Sequence, residues 1–192
     1  MRLILASTSS YRKAQLTQLG VTFEAHPHRC DEASAMVSGD APDVIAKKLS
    51  VAKAESLRGA FPDGWILGSD QVVDLDGAVL GKPGTRSRAV SQLAALSGRT
   101  HRLITGVALC GPGGSLAEHL DVHRMSVRSL AEGEIERYVD ADEPLDCCGA
   151  YKIERLGITL FDRIEGDDFT SIVGLPLMAV ARMLREAGWS LP

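Results

Sequence analysis

The sequence predicts an α/β fold built on a mixed sheet, and three observations predict it. Apolar runs of strand length alternate with segments of helical periodicity along the chain. Asp76-Gly77 stands between two such runs, a hairpin signal that a wholly parallel sheet does not accommodate. The 192 residues are 45% apolar and 24% charged, which is enough chain and ordinary enough composition for a buried core. Disorder, collagen and coiled coil are poor readings of such a chain.

Taken in order, residues 2–7 form an apolar run and predict the first strand. Ser10 is placed to cap a helix running to Leu19, with Gly20 in the C′ position. A second strand is expected over 21–25. Residues 26–42 are polar and irregular and hold Asp31 and Glu32. Residues 43–58 predict a helix, with Ile45, Leu49 and Ala52 at i, i+4, i+7. A short buried strand over 65–68 delivers Ser69 and Asp70 at its end. Runs 71–75 and 78–81 flank the Asp76-Gly77 turn. Residues 84–97 predict a helix with Ala89, Leu93 and Leu96 on one face and Gly98 as its stop. Strands are expected over 102–110 and 116–127, around a loop at 111–115. A helix over 131–139, a polar loop over 140–155, a strand over 158–164 and a closing helix over 175–187 complete the chain.

Net charge is 21 − 25 = −4, unlike a broadly basic nucleic-acid binder. Cys30, Cys110, Cys147 and Cys148 have neither CxxC nor paired CxxH spacing, so a zinc site is not expected. They read as reduced thiols of a cytosolic protein. No apolar run approaches the roughly 20 residues that span a bilayer. The start MRLILAS is too short for a signal peptide and reads as a buried strand. The expectation is a cytoplasmic protein that binds neither membrane nor nucleic acid.

Four segments could carry chemistry. Ser7-Thr8-Ser9-Ser10-Tyr11-Arg12-Lys13 joins a predicted strand to a helix N-terminus. Free backbone N–H groups and the positive dipole end meet there, and anions bind such junctions. Arg12 and Lys13 sit in the first turn, where the dipole disfavours cations; a bound polyphosphate would compensate them. A capped, solvated helix start is the plain alternative. The segment lacks the glycines of a Walker loop. Asp70, expected at a strand end, is placed to bind a divalent metal or orient a water. Lys82, fixed before Pro83, suits a phosphate contact, or an edge lysine that prevents strand pairing. Asp31 or Glu32 could join Asp70 in holding Mg²⁺, which takes one or two carboxylates plus substrate phosphates. Lys53, beside the apolar stripe of its helix, reads by itself as a surface lysine. The five histidines show no metal spacing, and a GxSxG nucleophile motif is absent.

Together these segments resemble the Maf family of nucleoside triphosphate pyrophosphatases. The ordered match comprises LILASTSSYRKAQL at 3–16, DE at 31–32, KAES at 53–56, GSDQVV at 68–73, GKP at 81–83, SG at 97–98, TG at 105–106, YKIERLG at 151–157 and FTSIVGLPL at 169–177. The resemblance implies one domain over 1–192, with helices on both sides of a twisted mixed sheet and two lobes around a central cleft. A homodimer is often found in the family. It implies a hydrolase needing a divalent cation (Mg, Mn or Co) that cuts a nucleoside triphosphate between the α and β phosphates. Asp70 matches the family's proton acceptor. Ser9, Arg12, Lys13, Glu32, Lys53 and Lys82 match its triphosphate and metal site, with Glu32 and Asp70 as the metal carboxylates. Tyr11, Gln71 and Glu154 resemble the branch that hydrolyses 7-methyl-GTP rather than dTTP, UTP or CTP. An aromatic at Tyr11 could stack on the cationic methylated ring, and Glu154 could accept from the guanine N1–H and N2 edge. Maf proteins are also associated with inhibition of septum formation, which gives a non-enzymatic alternative. The chain departs from the family pattern at Ser10 (usually Pro), Lys13 (Arg), Tyr11 (Trp in its branch) and Cys148 (Ala).

Overall fold

The computed structural model describes residues 1–32 and 39–192. Among them are seven strands and six α-helices. In chain order they are β1 Leu3–Leu5, α1 Ser10–Gln18, β2 Glu24–Ala25, α2 Pro42–Glu55, β3 Trp65–Leu75, β4 Ala78–Leu80 and α3 Arg86–Leu96. Then follow β5 Thr100–Cys110, β6 Leu116–Val127, α4 Glu132–Asp142, β7 Phe161–Glu165, α5 Thr170–Val173 and α6 Leu177–Glu186. The sheet order is β2-β1-β3-β5-β6-β7, with β4 paired to β3. β1 runs parallel to both β2 and β3, while β3–β4 and β6–β7 are antiparallel. The mixed α/β sheet expected from the alternating pattern and the hairpin is therefore present.

The chain divides into two compact units, and the division falls within β3, β5 and β6. The first comprises Met1–Gln71, Thr105–Asp121 and Asp168–Pro192. β1 is buried on both faces, which is why 2–7 reads as a continuous apolar run rather than an alternation. Leu3 and Leu5 pack with Leu16 of α1 and with Leu177, Val180 and Leu184 of α6. Ile4 and Ala6, which point to the other face, pack with Ala54 of α2, Leu57 and Ile66. Helix α2 lies close on β3 and β5 because both strands present glycine to it. A Cβ on Gly68 would stand 2.2 Å from the Ser50 carbonyl oxygen, and one on Gly106 would stand 2.5 Å from that of Ala46.

The second unit comprises Val72–Ile104 and Val122–Asp167. Its hairpin turns at Asp76 (φ 52°) and Gly77 (φ 88°), the left-handed pair that a two-residue loop requires. The buried Asp74 carboxylate accepts from the Gly77 N–H at 2.7 Å and from Arg102 Nε at 2.7 Å. Ala89, Leu93 and Leu96 of α3 are buried, as the stripe predicts. His101, Tyr151 and Phe161 form an aromatic cluster, with His101 only 2% exposed.

Burial pushes the His101 imidazole from 6.5 down to about 4. The folded state thus favours the neutral ring, and the unfolded chain binds the extra proton between those values. Its contribution is fully present above pH 6.5 and is lost as pH falls toward 4. On the order of 3 kcal/mol of stability should disappear across that window. Urea titrations at pH 7 and pH 4.5 should show the loss. A His101→Phe variant should show a flatter profile; equal slopes in the two proteins would refute the assignment.

Several elements differ from the sequence expectation. Residues 65–75 form one 11-residue strand, so Asp70 stands within β3 and not at a strand end. The break expected at Ser69-Asp70, between the runs 65–68 and 71–75, is absent because Lys53 of α2 and the 171–174 backbone satisfy the polar groups there. Ser9, not Ser10, caps α1. Helix α4 continues to Asp142, into the expected loop. A 3₁₀ turn at Leu156–Leu160 replaces the first part of the expected last strand. Residues 170–173 form a separate helix before α6. The irregular segment expected at 26–42 lies partly outside the described residues.

Candidate functional site

The site in the first unit is assembled from β1, α1, α2 and β3. After β1 the chain turns with Ser7 Oγ accepting the Ser9 N–H at 3.1 Å. Ser9 Oγ then accepts the Arg12 N–H at 3.4 Å, so this hydroxyl serves as the helix cap. Arg12, on the first turn of α1, turns its Nε to the Gly174 carbonyl at 3.1 Å. The same carbonyl accepts from Ser69 Oγ at 3.0 Å. One backbone oxygen thereby ties the cationic end of α1 to the strand residue preceding Asp70. Tyr11 is half-buried and Lys13 exposed.

Lys53 lies in the last turn of α2, where the dipole favours a cation. It is not the surface lysine its sequence position suggested, being only 5% exposed. Its Nζ stands 2.5 Å from Asp70 Oδ1 and 3.0 Å from Glu32 Oε1. Glu32 Oε1 in turn lies 3.4 Å from His28 Nε2. The Lys53–Asp70 pair is almost fully withdrawn from water while Glu32 is half exposed. An ammonium this buried is tolerable because two carboxylates share it. Burial and the Lys53 ammonium hold the His28 imidazole below its usual value, against the opposing pull of Glu32.

Gln71 follows Asp70 on β3. Its amide nitrogen lies 3.0 Å from Thr105 Oγ1, 2.9 Å from the Ser171 carbonyl and 3.2 Å from that of Ile172. It therefore pins the 171–172 backbone beside the site. Two residues that sequence reasoning missed complete that anchoring. Gln15 of α1 donates to the carbonyls of Thr170 and Leu175. The buried Asp168 carboxylate accepts from the Thr170 N–H (3.0 Å) and hydroxyl (2.5 Å) and from the Met178 N–H (2.8 Å). One acidic side chain so ties the first residues of α5 and α6 together. Asp168→Ala should lower stability by about 2 kcal/mol, read as a reduced melting temperature.

Lys82 and Glu154 belong to the second unit, and each is exposed there. Lys82 follows β4, beside a buried Pro83. Glu154 stands on a turn in which the Lys152 carbonyl accepts the N–H groups of Arg155 and Gly157, each at 3.1 Å. The geometry thus gathers Ser9, Arg12, Glu32, Lys53, Asp70 and Gln71 around the α1 start and β3.

A divalent cation is tested by the donors present. Asp70 Oδ1 and Glu32 Oε1 both approach Lys53 Nζ, so the two carboxylates stand close together and a metal would be held through their remaining oxygens. That suits Mg²⁺ or Mn²⁺ completed by substrate phosphates. Among the described residues no cluster of three or more His, Cys, Asp and Glu side chains forms an all-protein cage. No helix among them is long and apolar enough to cross a membrane.

A family model described as Maf-like protein matches residues 2–187. Similar proteins share the full length. One from Xanthomonas oryzae pv. oryzae (strain MAFF 311018), named 7-methyl-GTP pyrophosphatase, is 51% identical over 191 residues, covering 100% of this chain and 99% of its own. Proteins of the same name from Pseudomonas aeruginosa and Bdellovibrio bacteriovorus are 43% and 42% identical, covering 99% and 97% of this chain and 98% and 97% of their own. Among solved structures, a HAM1 protein from Coxiella burnetii superimposes with a TM-score of 0.54 at 14% identity, covering 97% of this chain and 99% of that one. That likeness concerns the fold alone.

Proposed function

Since the chain belongs to the Maf-like family, we propose that it is a nucleoside triphosphate pyrophosphatase acting on 7-methyl-GTP and releasing 7-methyl-GMP and pyrophosphate. The name shared by full-length relatives at 42–51% identity supports the nucleotide and the bond cleaved. The observation that carries the chemistry is the Lys53 ammonium held between Asp70 and Glu32, beside the Arg12 turn of α1.

In this reading Lys53 holds Asp70 through Oδ1 and leaves Oδ2 to accept a proton from water. The water oxygen bonds to the α-phosphorus as the bond from that phosphorus to the α–β bridging oxygen breaks. Pyrophosphate departs with that oxygen, and the proton rests on Asp70 until solvent removes it. Arg12 and Lys13 balance the triphosphate charge, with the N–H groups at the α1 start as further donors; Lys82 is a phosphate contact on the family resemblance alone. Arg12 is oriented for this by the Gly174 carbonyl on its Nε. A divalent ion held by Asp70 and Glu32 would neutralise charge developing on the phosphates. Tyr11 stacks on the cationic methylated ring, and the family resemblance assigns Glu154 to accept from the guanine edge.

The test is product analysis with Mg²⁺, Mn²⁺ or Co²⁺, offering 7-methyl-GTP, GTP, dTTP, UTP and CTP in parallel. Monophosphate and pyrophosphate, formed fastest from 7-methyl-GTP, are the expected result. Preference for UTP, dTTP or CTP would retain the mechanism and refute the roles of Tyr11 and Glu154. No turnover of any nucleotide would favour a binding or septum-regulating role.

A further inference from the structure

The turn that carries Glu154 is held from beneath by a buried polar contact that the reaction does not use. The Tyr151 ring packs edge-on to Phe161 at 4.9 Å between centroids. Its hydroxyl lies 3.0 Å from His101 Nε2. The next residue, Lys152, donates its N–H to the Tyr138 hydroxyl at 2.9 Å and closes the turn through its carbonyl. Gly157 ends the turn so tightly that a Cβ there would meet the Lys152 carbonyl oxygen at 2.3 Å. Glu154 therefore projects from a turn whose freedom is removed at both ends.

His101 is a costly way to fill that place. It is 2% exposed, and its Nδ1 is buried without a hydrogen-bond partner among the described residues. A pair of phenyl rings at 101 and 151 would fill similar space and leave no polar atom unsatisfied. A buried imidazole with one hydrogen bond earns its place through the geometry it imposes. Its partner is the first residue of the Tyr151-Lys152-Ile153-Glu154 run. We propose that His101 is a positioning residue for base discrimination: through the Tyr151 hydroxyl it fixes the turn that aims Glu154 at the nucleobase. The inference rests on the reading of Glu154 given above. His101 touches no substrate and takes no part in the hydrolytic step.

The experiment compares the wild-type protein, His101→Phe/Tyr151→Phe, Glu154→Gln and the triple variant. The paired Phe substitutions remove both polar partners while keeping the rings, so neither nitrogen nor hydroxyl is stranded by loss of the other. The readouts are melting temperature and the ratio of kcat/KM for 7-methyl-GTP to that for UTP. In the paired variant the ratio should fall about tenfold through KM for 7-methyl-GTP, with UTP turnover and melting temperature retained. The triple variant should discriminate no worse than Glu154→Gln alone, because both changes act on one contact. A loss of ratio in Glu154→Gln with none in the paired variant would overturn the role of His101 and keep that of Glu154. An unchanged ratio in Glu154→Gln would overturn the reading of Glu154 and the inference with it. A lower melting temperature with unchanged discrimination would leave His101 a packing residue only. Single His101→Asn and Tyr151→Phe variants provide the same comparison should the paired variant fold poorly.

Discussion

Asp70→Asn should lower kcat by about 10³-fold, with kcat/KM falling in parallel, because the group accepting the water's proton is lost. The substitution keeps shape and size. The amide oxygen can still accept from Lys53, whose Nζ lies 2.5 Å from Asp70 Oδ1 and 3.0 Å from Glu32. The ammonium keeps one carboxylate, so the cost in stability should stay near 1–3 kcal/mol rather than reach that of a stranded buried charge. The variant should therefore fold, bind nucleotide and turn it over hardly at all. Melting curves and steady-state kinetics on the same preparation check both halves. A folded Asp70→Asn protein with more than a tenth of wild-type kcat would remove Asp70 from the role of base.

Gly68→Ala should be the most damaging single methyl in the first unit. The added carbon would meet the Ser50 carbonyl oxygen at 2.2 Å, the Ala54 nitrogen at 2.7 Å and the Ala54 Cβ at 3.0 Å. Two of these are backbone atoms of α2, so no rotamer change relieves the clash and the helix must move off the strand. Overpacking of this kind costs about 1–3 kcal/mol, and backbone obstruction places it at the upper end. For a chain of this size the melting temperature should fall by about 6–12 °C. Lys53 precedes Ala54 on that helix, so its contact with Asp70 should be disturbed and activity should fall as well. Gly59→Ala, where a Cβ meets nothing within 4 Å, is the control and should be neutral. Equal melting temperatures for the two variants would contradict the packing described here.

The elements easiest to read from sequence were those governed by local periodicity or turn chemistry. The α3 stripe of Ala89, Leu93 and Leu96 is buried as expected, and Asp76-Gly77 makes the predicted hairpin turn. Strand β6, Leu116–Val127, has the expected bounds. Long-range satisfaction was not legible. Ser69 and Asp70 look like the end of a short strand, yet with Gln71 they continue β3 because Gly174, Lys53, Thr105 and Ser171 supply their partners from far along the chain.

The same limit explains the site. Arg12 and Asp70 were marked by the helix start and by an acidic residue after an apolar run. Lys53 looked like surface because its charge hides that it shares α2's buried face with Ala46, Ser50 and Ala54. Asp168 and Gln15 act on backbone atoms of the 168–178 segment, and no pattern in their own neighbourhood reveals which carbonyls or N–H groups they will meet. The ordered motifs resembling the Maf family supplied what local chemistry did not, and the family match over 2–187 bears that resemblance out.

The most direct measurement of the central claim is hydrolysis of 7-methyl-GTP in ¹⁸O-labelled water, with both products weighed by mass spectrometry. Attack at the α-phosphorus by a water that Asp70 activates predicts one ¹⁸O atom in the monophosphate and none in the pyrophosphate. Label in the pyrophosphate, or release of a single labelled orthophosphate, would place the attack at another phosphorus and contradict it.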